Sequence, residues 1–140
     1  METEAKSIRV QIDSDPRLAA AVGGAARYLA DSAGIEGDAV TQLQKAVIAA
    51  CREAFEYLTE DHPHLVVTLT RLSDRIEVEV AHEGKNPPAI GLDTIVKSAS
   101  QDGASGGGLL SGVDRIQYEA QSEVTKTRLT KYIRQGIPSR

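Results

Sequence analysis

The sequence is poor in aromatic residues and cysteine, since its 140 residues include no tryptophan, one phenylalanine, four tyrosines and one cysteine. A single cysteine excludes an intramolecular disulfide, and the scarcity of aromatic rings requires a core built from aliphatic side chains. No apolar run reaches the roughly 18 residues of a membrane-spanning helix, and the acidic start METEAKSIRV lacks the pattern of a signal peptide. These absences predict a cytoplasmic protein that does not enter the membrane.

Basic residues are also fewer than acidic ones. The chain carries 16 basic and 20 acidic residues, which gives a formal net charge of −4. A protein whose main task is to hold nucleic acid needs a basic surface that neutralises phosphates. The charge balance therefore argues against direct nucleic-acid binding and favours a protein partner or a small ligand.

The first half of the chain contains one strand pattern and two helix patterns. Residues 8–12 alternate apolar and polar side chains, which predicts a strand with one buried face. An alanine-rich run that starts at Pro16 and stops at Gly34 predicts the first helix. A second run, which Asp38 can cap, keeps apolar residues at three-and-four spacing as far as Leu58 and predicts a longer helix.

The second half is dominated by strand patterns. Residues 65–72 and 75–81 predict a hairpin, and residues 113–120 and 124–133 predict two closing strands. Between these pairs lie a short helix candidate at 92–99 and a glycine-rich segment at 101–108. This order predicts an α+β fold, a two-layer α/β sandwich with a mostly antiparallel sheet and its helices on one face. One domain over residues 7–133 suffices, between a flexible N-terminus at 1–6 and a polar C-terminal tail at 134–140.

The long second helix contains the run AACREA at residues 49–54. This run resembles the Glu-Ala-Cys-x-Asn-Ala motif of the bacterial anti-sigma factor serine kinases, which belong to the GHKL ATPase superfamily and have the histidine kinase-like ATPase fold. In that family the glutamate polarises the attacking hydroxyl or water, and the asparagine binds magnesium. Ala49 and Glu53 stand at these two positions here. A methyl group cannot act as a base, so the resemblance comes without its catalytic residue.

The other motifs of the family are matched in part. His82 stands where the family's aspartate accepts a hydrogen bond from the adenine amino group, and Gly84 matches the first glycine that follows it. Gly106 and Gly108, in the run GGGLL, resemble the lid that cradles phosphates, although a flexible linker is the other interpretation of this segment. Thr125 matches the threonine of a late Gly-Thr pair. The resemblance spans residues 7–133.

The resemblance implies a regulatory protein that binds a sigma factor, an anti-anti-sigma protein or both. The replaced positions predict weak or absent ATP binding, with ATP and magnesium as cofactors only if the remnant site still functions. Members of the family dimerise, so a homodimer is a further expectation. Two alternatives stay open. One is an active ATP-dependent serine/threonine-protein kinase that phosphorylates an anti-anti-sigma factor and uses Glu53 as an unusual metal ligand. The other is a stand-alone α/β binding module of unknown ligand.

Two further groups of polar residues call for an interpretation. Residues 124–140 contain basic residues and no acidic ones, namely Lys126, Arg128, Lys131, Arg134 and Arg140. Such charge either protects a sheet edge from mispairing or docks an acidic partner. His62 and His64 flank Pro63 without an obvious third metal ligand, which favours surface histidines over a metal site.

Overall fold

The computed structural model describes residues 6–83, 112–121 and 124–133. They form β1 (Lys6–Ile12), α1 (Pro16–Ser32), α2 (Gly37–Phe55), β2 (Leu65–Arg71), β3 (Arg75–Glu83), β4 (Arg115–Gln121) and β5 (Val124–Tyr132). The predicted helix at 92–99, the glycine-rich segment at 101–108, residues 1–5 and residues 134–140 lie outside the described residues. No helix among the described residues is long and apolar enough to cross a membrane.

The ends of α1 follow from local chemistry. The Asp15 carboxylate caps the helix by accepting a hydrogen bond of 2.8 Å from the main-chain N–H of Arg17, and Pro16 occupies the first turn, where its missing N–H costs nothing. Just past the C-terminal end, Gly34 has a φ of 84°, a left-handed conformation that favours glycine. The predicted start and stop of this helix are therefore confirmed.

The second helix confirms its predicted buried side. Val47, Cys51 and Ala54 are fully buried, whereas Arg52 and Glu56 are exposed. Two details differ from the prediction. Asp38 does not cap the helix, because the chain turns helical one residue earlier, at Gly37; Asp38 lies in the first turn, where its charge favours the positive end of the helix dipole. The helix also ends at Phe55 rather than Leu58.

The five strands form one sheet in the order β1-β2-β3-β5-β4, and every neighbouring pair is antiparallel. Both helices contact β2 and β3 and pack against each other. Gly23 allows this close helix packing, since a Cβ at that position would lie 2.5 Å from Ile48 Cγ1. The α+β class and the antiparallel sheet predicted from the sequence are confirmed.

The sheet has two different faces. On the helix face, alternate residues of the central strands are fully buried and aliphatic: Leu65, Val67 and Leu69 on β2, and Ile76, Val78 and Val80 on β3. Residues between them, such as Thr68 and Glu79, point to the opposite side, called the open face below, and remain partly exposed. On the open face Arg128 Nη2 lies 3.3 Å from Glu79 Oε1, and Arg75 Nε lies 2.8 Å from Glu77 Oε2. Burial of the aliphatic rows, at about 1.5 to 3 kcal/mol per side chain, is what holds the layers together.

Candidate functional site

Ala49 and Glu53 lie four residues apart on α2 and therefore share one flank of the helix. Both are half-buried. Between them Cys51 is fully buried, and burial raises the pKa of its thiol to about 12, so no thiolate forms near neutral pH. The helix thus presents one carboxylate and no nucleophile or base at the position that the motif predicts for catalysis.

His82 and Thr125 lie side by side near the end of the sheet. They are directly paired residues of β3 and β5, and directly paired residues point to the same face of a sheet. His82 is 2% exposed and Thr125 is 1% exposed, so both belong to the layer under the helix face. The structure therefore brings these two predicted site residues together.

Tyr57 connects His82 to the end of α2. The two rings are stacked, with centroids 5.8 Å apart and an interplanar angle of 12°. Tyr57 was not among the predicted site residues. The spacing offered a signal for it, because the helix predicted as far as Leu58 places Tyr57 four residues after Glu53 on the same flank, although the helix ends at Phe55 and Tyr57 lies in the turn that follows. This stack joins β3 to the residues that follow α2.

The imidazole of His82 is buried and forms no hydrogen bond with the part of the chain that the structure describes. Neither ring nitrogen has a hydrogen-bond partner among residues 6–83, 112–121 and 124–133, and leaving a buried polar group unsatisfied costs about 1 to 3 kcal/mol. Burial lowers the pKa of His82 from its ordinary value, and the main chain of Glu83 opposes that lowering only in part, without the geometry of a hydrogen bond. His82 is therefore neutral at pH 7.

The assembled residues can do little chemistry. Ala49 has no proton acceptor, and the neutral His82 ring is stacked against Tyr57. Glu53 could offer an oxygen to a cation, but in the described part of the chain no group of three or more His, Cys, Asp and Glu side chains is placed to hold a metal ion. The predicted site residues Gly84, Gly106 and Gly108 lie outside the described residues. The described part of the site is a polar cluster in which position 49, where the motif predicts the catalytic base, carries a methyl group.

A separate concavity of about 450 Å³ lies on the open face. Of the sequence-predicted site residues that the structure describes, only His82 contributes to its lining. One wall is the loop between α2 and β2, which two histidines fasten to neighbouring strand ends: His62 Nδ1 lies 3.0 Å from Glu83 Oε1, and His64 Nδ1 lies 2.9 Å from Asp13 Oδ1. Their predicted place at the surface is confirmed, since both side chains are about two-fifths exposed. Their role is structural attachment of this loop.

Two basic residues of β5 form ion pairs with acidic side chains. Arg128 pairs with Glu79, and Lys131 Nζ lies 3.6 Å from Asp114 Oδ2. The interpretation of this charge as edge protection is wrong, because β5 lies between β3 and β4 in the sheet and is not an edge strand. Part of the charge instead serves cross-strand pairing.

No family model matches the chain, and no curated protein matches it in sequence.

Proposed function

We propose that this chain is a regulatory protein with the histidine kinase-like ATPase fold, which acts by binding a sigma factor or an anti-anti-sigma protein and not by transferring phosphate. The proposal rests on the resemblance of the motifs at residues 49–54, 82–86 and 106–110, and on the layout of two helices over an antiparallel sheet. It locates the protein in the cytoplasm, where such partners act.

One observation carries the non-catalytic part of the proposal. The apolar frame of the helical motif is present, with Cys51 and Ala54 fully buried, whereas the position of the base is occupied by the methyl group of Ala49. A general base typically contributes about 10² to 10⁴ in rate, so its replacement alone removes most of the expected phosphotransfer. A protein of this fold that acts by binding would need the packing of α2 but not the base.

The state of His82 supports weak nucleotide binding. A neutral imidazole lacks the charge of a carboxylate, and hydrogen bonds to charged groups contribute about 1.5 to 3 kcal/mol. Such a loss corresponds to roughly a tenfold to hundredfold weaker affinity for adenine. The ring also stacks on Tyr57 and is 2% exposed, so it is covered on the side where a base would have to bind. ATP would therefore bind with millimolar affinity or weaker.

Partner binding can be measured directly. The purified chain is titrated by calorimetry against each sigma factor and each anti-anti-sigma protein encoded by the same genome, with and without ATP and magnesium. We expect at least one micromolar or tighter complex, with the same affinity in both conditions. Absence of any complex contradicts the proposed function, and a complex that forms only with ATP contradicts its nucleotide-independent part.

Phosphotransfer is tested by restoring the family residues. The triple variant Ala49→Glu, Glu53→Asn, His82→Asp is compared with the unmodified protein and with a matched control that carries Ala49→Gln in place of Ala49→Glu. The readout is transfer of labelled phosphate from ATP to an anti-anti-sigma protein. We expect activity only where the glutamate is present. Transfer by the unmodified protein above the rate without protein supports the kinase alternative instead, even if the variants fail to fold.

A further inference from the structure

The concavity on the open face owes its shape to the side chains of four neighbouring strands. One row across the sheet runs from Gln11 on β1 through Val66 and Ala81 to Lys126 on β5, because these residues are directly paired from strand to strand. All four line the concavity. The short side chains of Val66 and Ala81 form its floor, between the longer side chains at the two ends of the row. The depression therefore follows from the residue sizes along this row.

Arg9 and Lys126 border this floor on opposite sides. Arg9 lies on β1, where it pairs with Thr68, and Lys126 lies on β5. Three inter-strand spacings and two residues along the strands separate their Cα atoms, which amounts to about 16 Å. Both side chains line the concavity, so a guanidinium group and an ammonium group are available to the two ends of one elongated ligand.

Two of the three carboxylates in the lining are already engaged by basic side chains. Arg128 Nη2 lies 3.3 Å from Glu79 Oε1, and His62 Nδ1 lies 3.0 Å from Glu83 Oε1. These contacts reduce the repulsion that the two carboxylates would exert on an anion. The third carboxylate, that of Asp61, belongs to an exposed residue, so solvent and salt screen its charge. The concavity therefore favours a negatively charged ligand despite its acidic residues.

We propose that this concavity binds a small linear dicarboxylate, with one carboxylate at Arg9, the other at Lys126 and the methylene chain over Val66 and Ala81. Its volume of about 450 Å³ lies in the range of small-molecule sites. Guanidinium and ammonium groups bind carboxylates through charge-assisted hydrogen bonds, and an apolar floor favours methylene groups over a further charge. Because it lies on the face opposite the helices, this site is distinct from the motif positions on α2.

The separation of the two cations distinguishes a dicarboxylate from other anions. A compact anion such as inorganic phosphate can contact Arg9 or Lys126, but to approach both it must place its charge over the apolar floor, which costs desolvation energy. A monocarboxylate of the same length covers the floor and binds only one cation. We therefore expect a dicarboxylate to bind more tightly than either of these ligands.

Calorimetric titration of the purified protein with succinate, glutarate and adipate tests the proposal. We expect at least one of them to bind with a dissociation constant of about 1 mM or tighter at low ionic strength, and butyrate and inorganic phosphate to bind at least about tenfold more weakly. Lack of saturation by about 10 mM of every dicarboxylate, or phosphate binding as tight as the best dicarboxylate, overturns the proposal. Binding of an aspartate-rich peptide but of no dicarboxylate also overturns it, in favour of a docking site for a protein segment.

Substitutions of the two cations locate the binding site. Lys126→Met keeps the apolar stem and removes the charge, and we expect it to weaken dicarboxylate binding about tenfold. Arg9→Gln, at a more exposed position, should weaken binding about threefold. The matched control is Arg115→Gln, on β4 and away from the concavity, which should leave the affinity unchanged. Unchanged affinity in both Lys126→Met and Arg9→Gln overturns the proposal.

A third variant tests the floor without changing any charge. Ala81→Ile fills the space between Arg9 and Lys126, and we expect it to abolish dicarboxylate binding while circular dichroism shows that the fold is kept. Full affinity in a folded Ala81→Ile protein overturns the proposed position of the methylene chain; if this variant does not fold, the two cation variants decide. Neither a sigma factor nor ATP takes part in these titrations, so their outcome is independent of the proposed function.

Discussion

The buried side of the sheet consists of two halves that differ in composition. The aliphatic half, formed by β2 and the middle of β3 under both helices, buries side chains such as Leu69 and Val78 and no polar group. The polar half, formed by the end of β3 and the facing part of β5, buries His82, Thr125 and Thr127 to within 2% of full burial. The first half accounts for the fold. The second contains His82 and Thr125, which the sequence resemblance predicts to be remnants of a nucleotide site.

The aliphatic half should show the largest response to mutation. Leu69→Ala removes a fully buried side chain from the centre of the sheet, and such substitutions cost about 2 to 5 kcal/mol in the free energy of unfolding. Thr70→Ala, at the next residue of β2 and on the open face, is the matched control and should cost less than about 1 kcal/mol. The measurement is urea denaturation followed by circular dichroism. Equal effects of the two variants would contradict the assignment of the two faces.

The second-largest loss of stability is expected at Gly112, which lies three residues before β4 and against α2. A Cβ on Gly112 would overlap the main chain of Gln42 and Leu43 on α2, and a main chain cannot move aside as a side-chain end can. We expect Gly112→Ala to destabilise the protein by about 3 kcal/mol, at the upper end of overpacking effects. Gly24→Ala provides the control, since nothing lies within 4 Å of its new Cβ, and it should stabilise α1 by about 0.5 to 1 kcal/mol. If thermal unfolding shows no loss for Gly112→Ala, this close contact with α2 is not formed in solution.

The contribution of the polar half to the free energy of unfolding should depend on pH. Burial lowers the folded-state pKa of His82 below the value of about 6.5 that it has when unfolded. As the pH falls through 6.5 the unfolded chain therefore binds the proton first. The contribution of His82 to stability is complete above pH 6.5 and declines as the pH falls from there towards the folded-state pKa.

His82→Phe keeps a ring against Tyr57 and removes both ring nitrogens, which have no hydrogen-bond partner among the described residues. We expect it to raise stability by about 1 kcal/mol at pH 7 and to make the decline between pH 6.5 and 5 shallower than in the unmodified protein. The measurement is the free energy of unfolding at several pH values. The informative quantity is the slope of the free energy of unfolding against pH. A poor fit of the larger ring would lower stability equally at all pH values and would leave this slope unchanged. An unchanged slope would show that His82 is not a buried neutral group.

The sequence predicted the aliphatic half far better than the polar half. Strand alternation and helical spacing report burial directly, so the hairpin of β2 and β3 and the buried side of α2 around Cys51 could be located within a few residues. The cap of α2 was misassigned to Asp38, because a capping residue type does not reveal at which residue the chain turns. The stack of Tyr57 on His82 and the edge position of β4 depend on strand order, which the periodicity of single segments does not encode.

The central claim of the proposed function is that the polar half binds ATP weakly or not at all, and a titration with ATP and magnesium tests it most directly. Thermal unfolding of the unmodified protein is followed up to 1 mM ATP, with Ala49→Glu, Glu53→Asn, His82→Asp as the comparison. A dissociation constant of 1 mM or weaker adds at most about 0.4 kcal/mol at that concentration, so we predict almost no shift. A stabilisation near 2.7 kcal/mol in the unmodified protein would correspond to ATP at about 100 times its dissociation constant and would contradict the account.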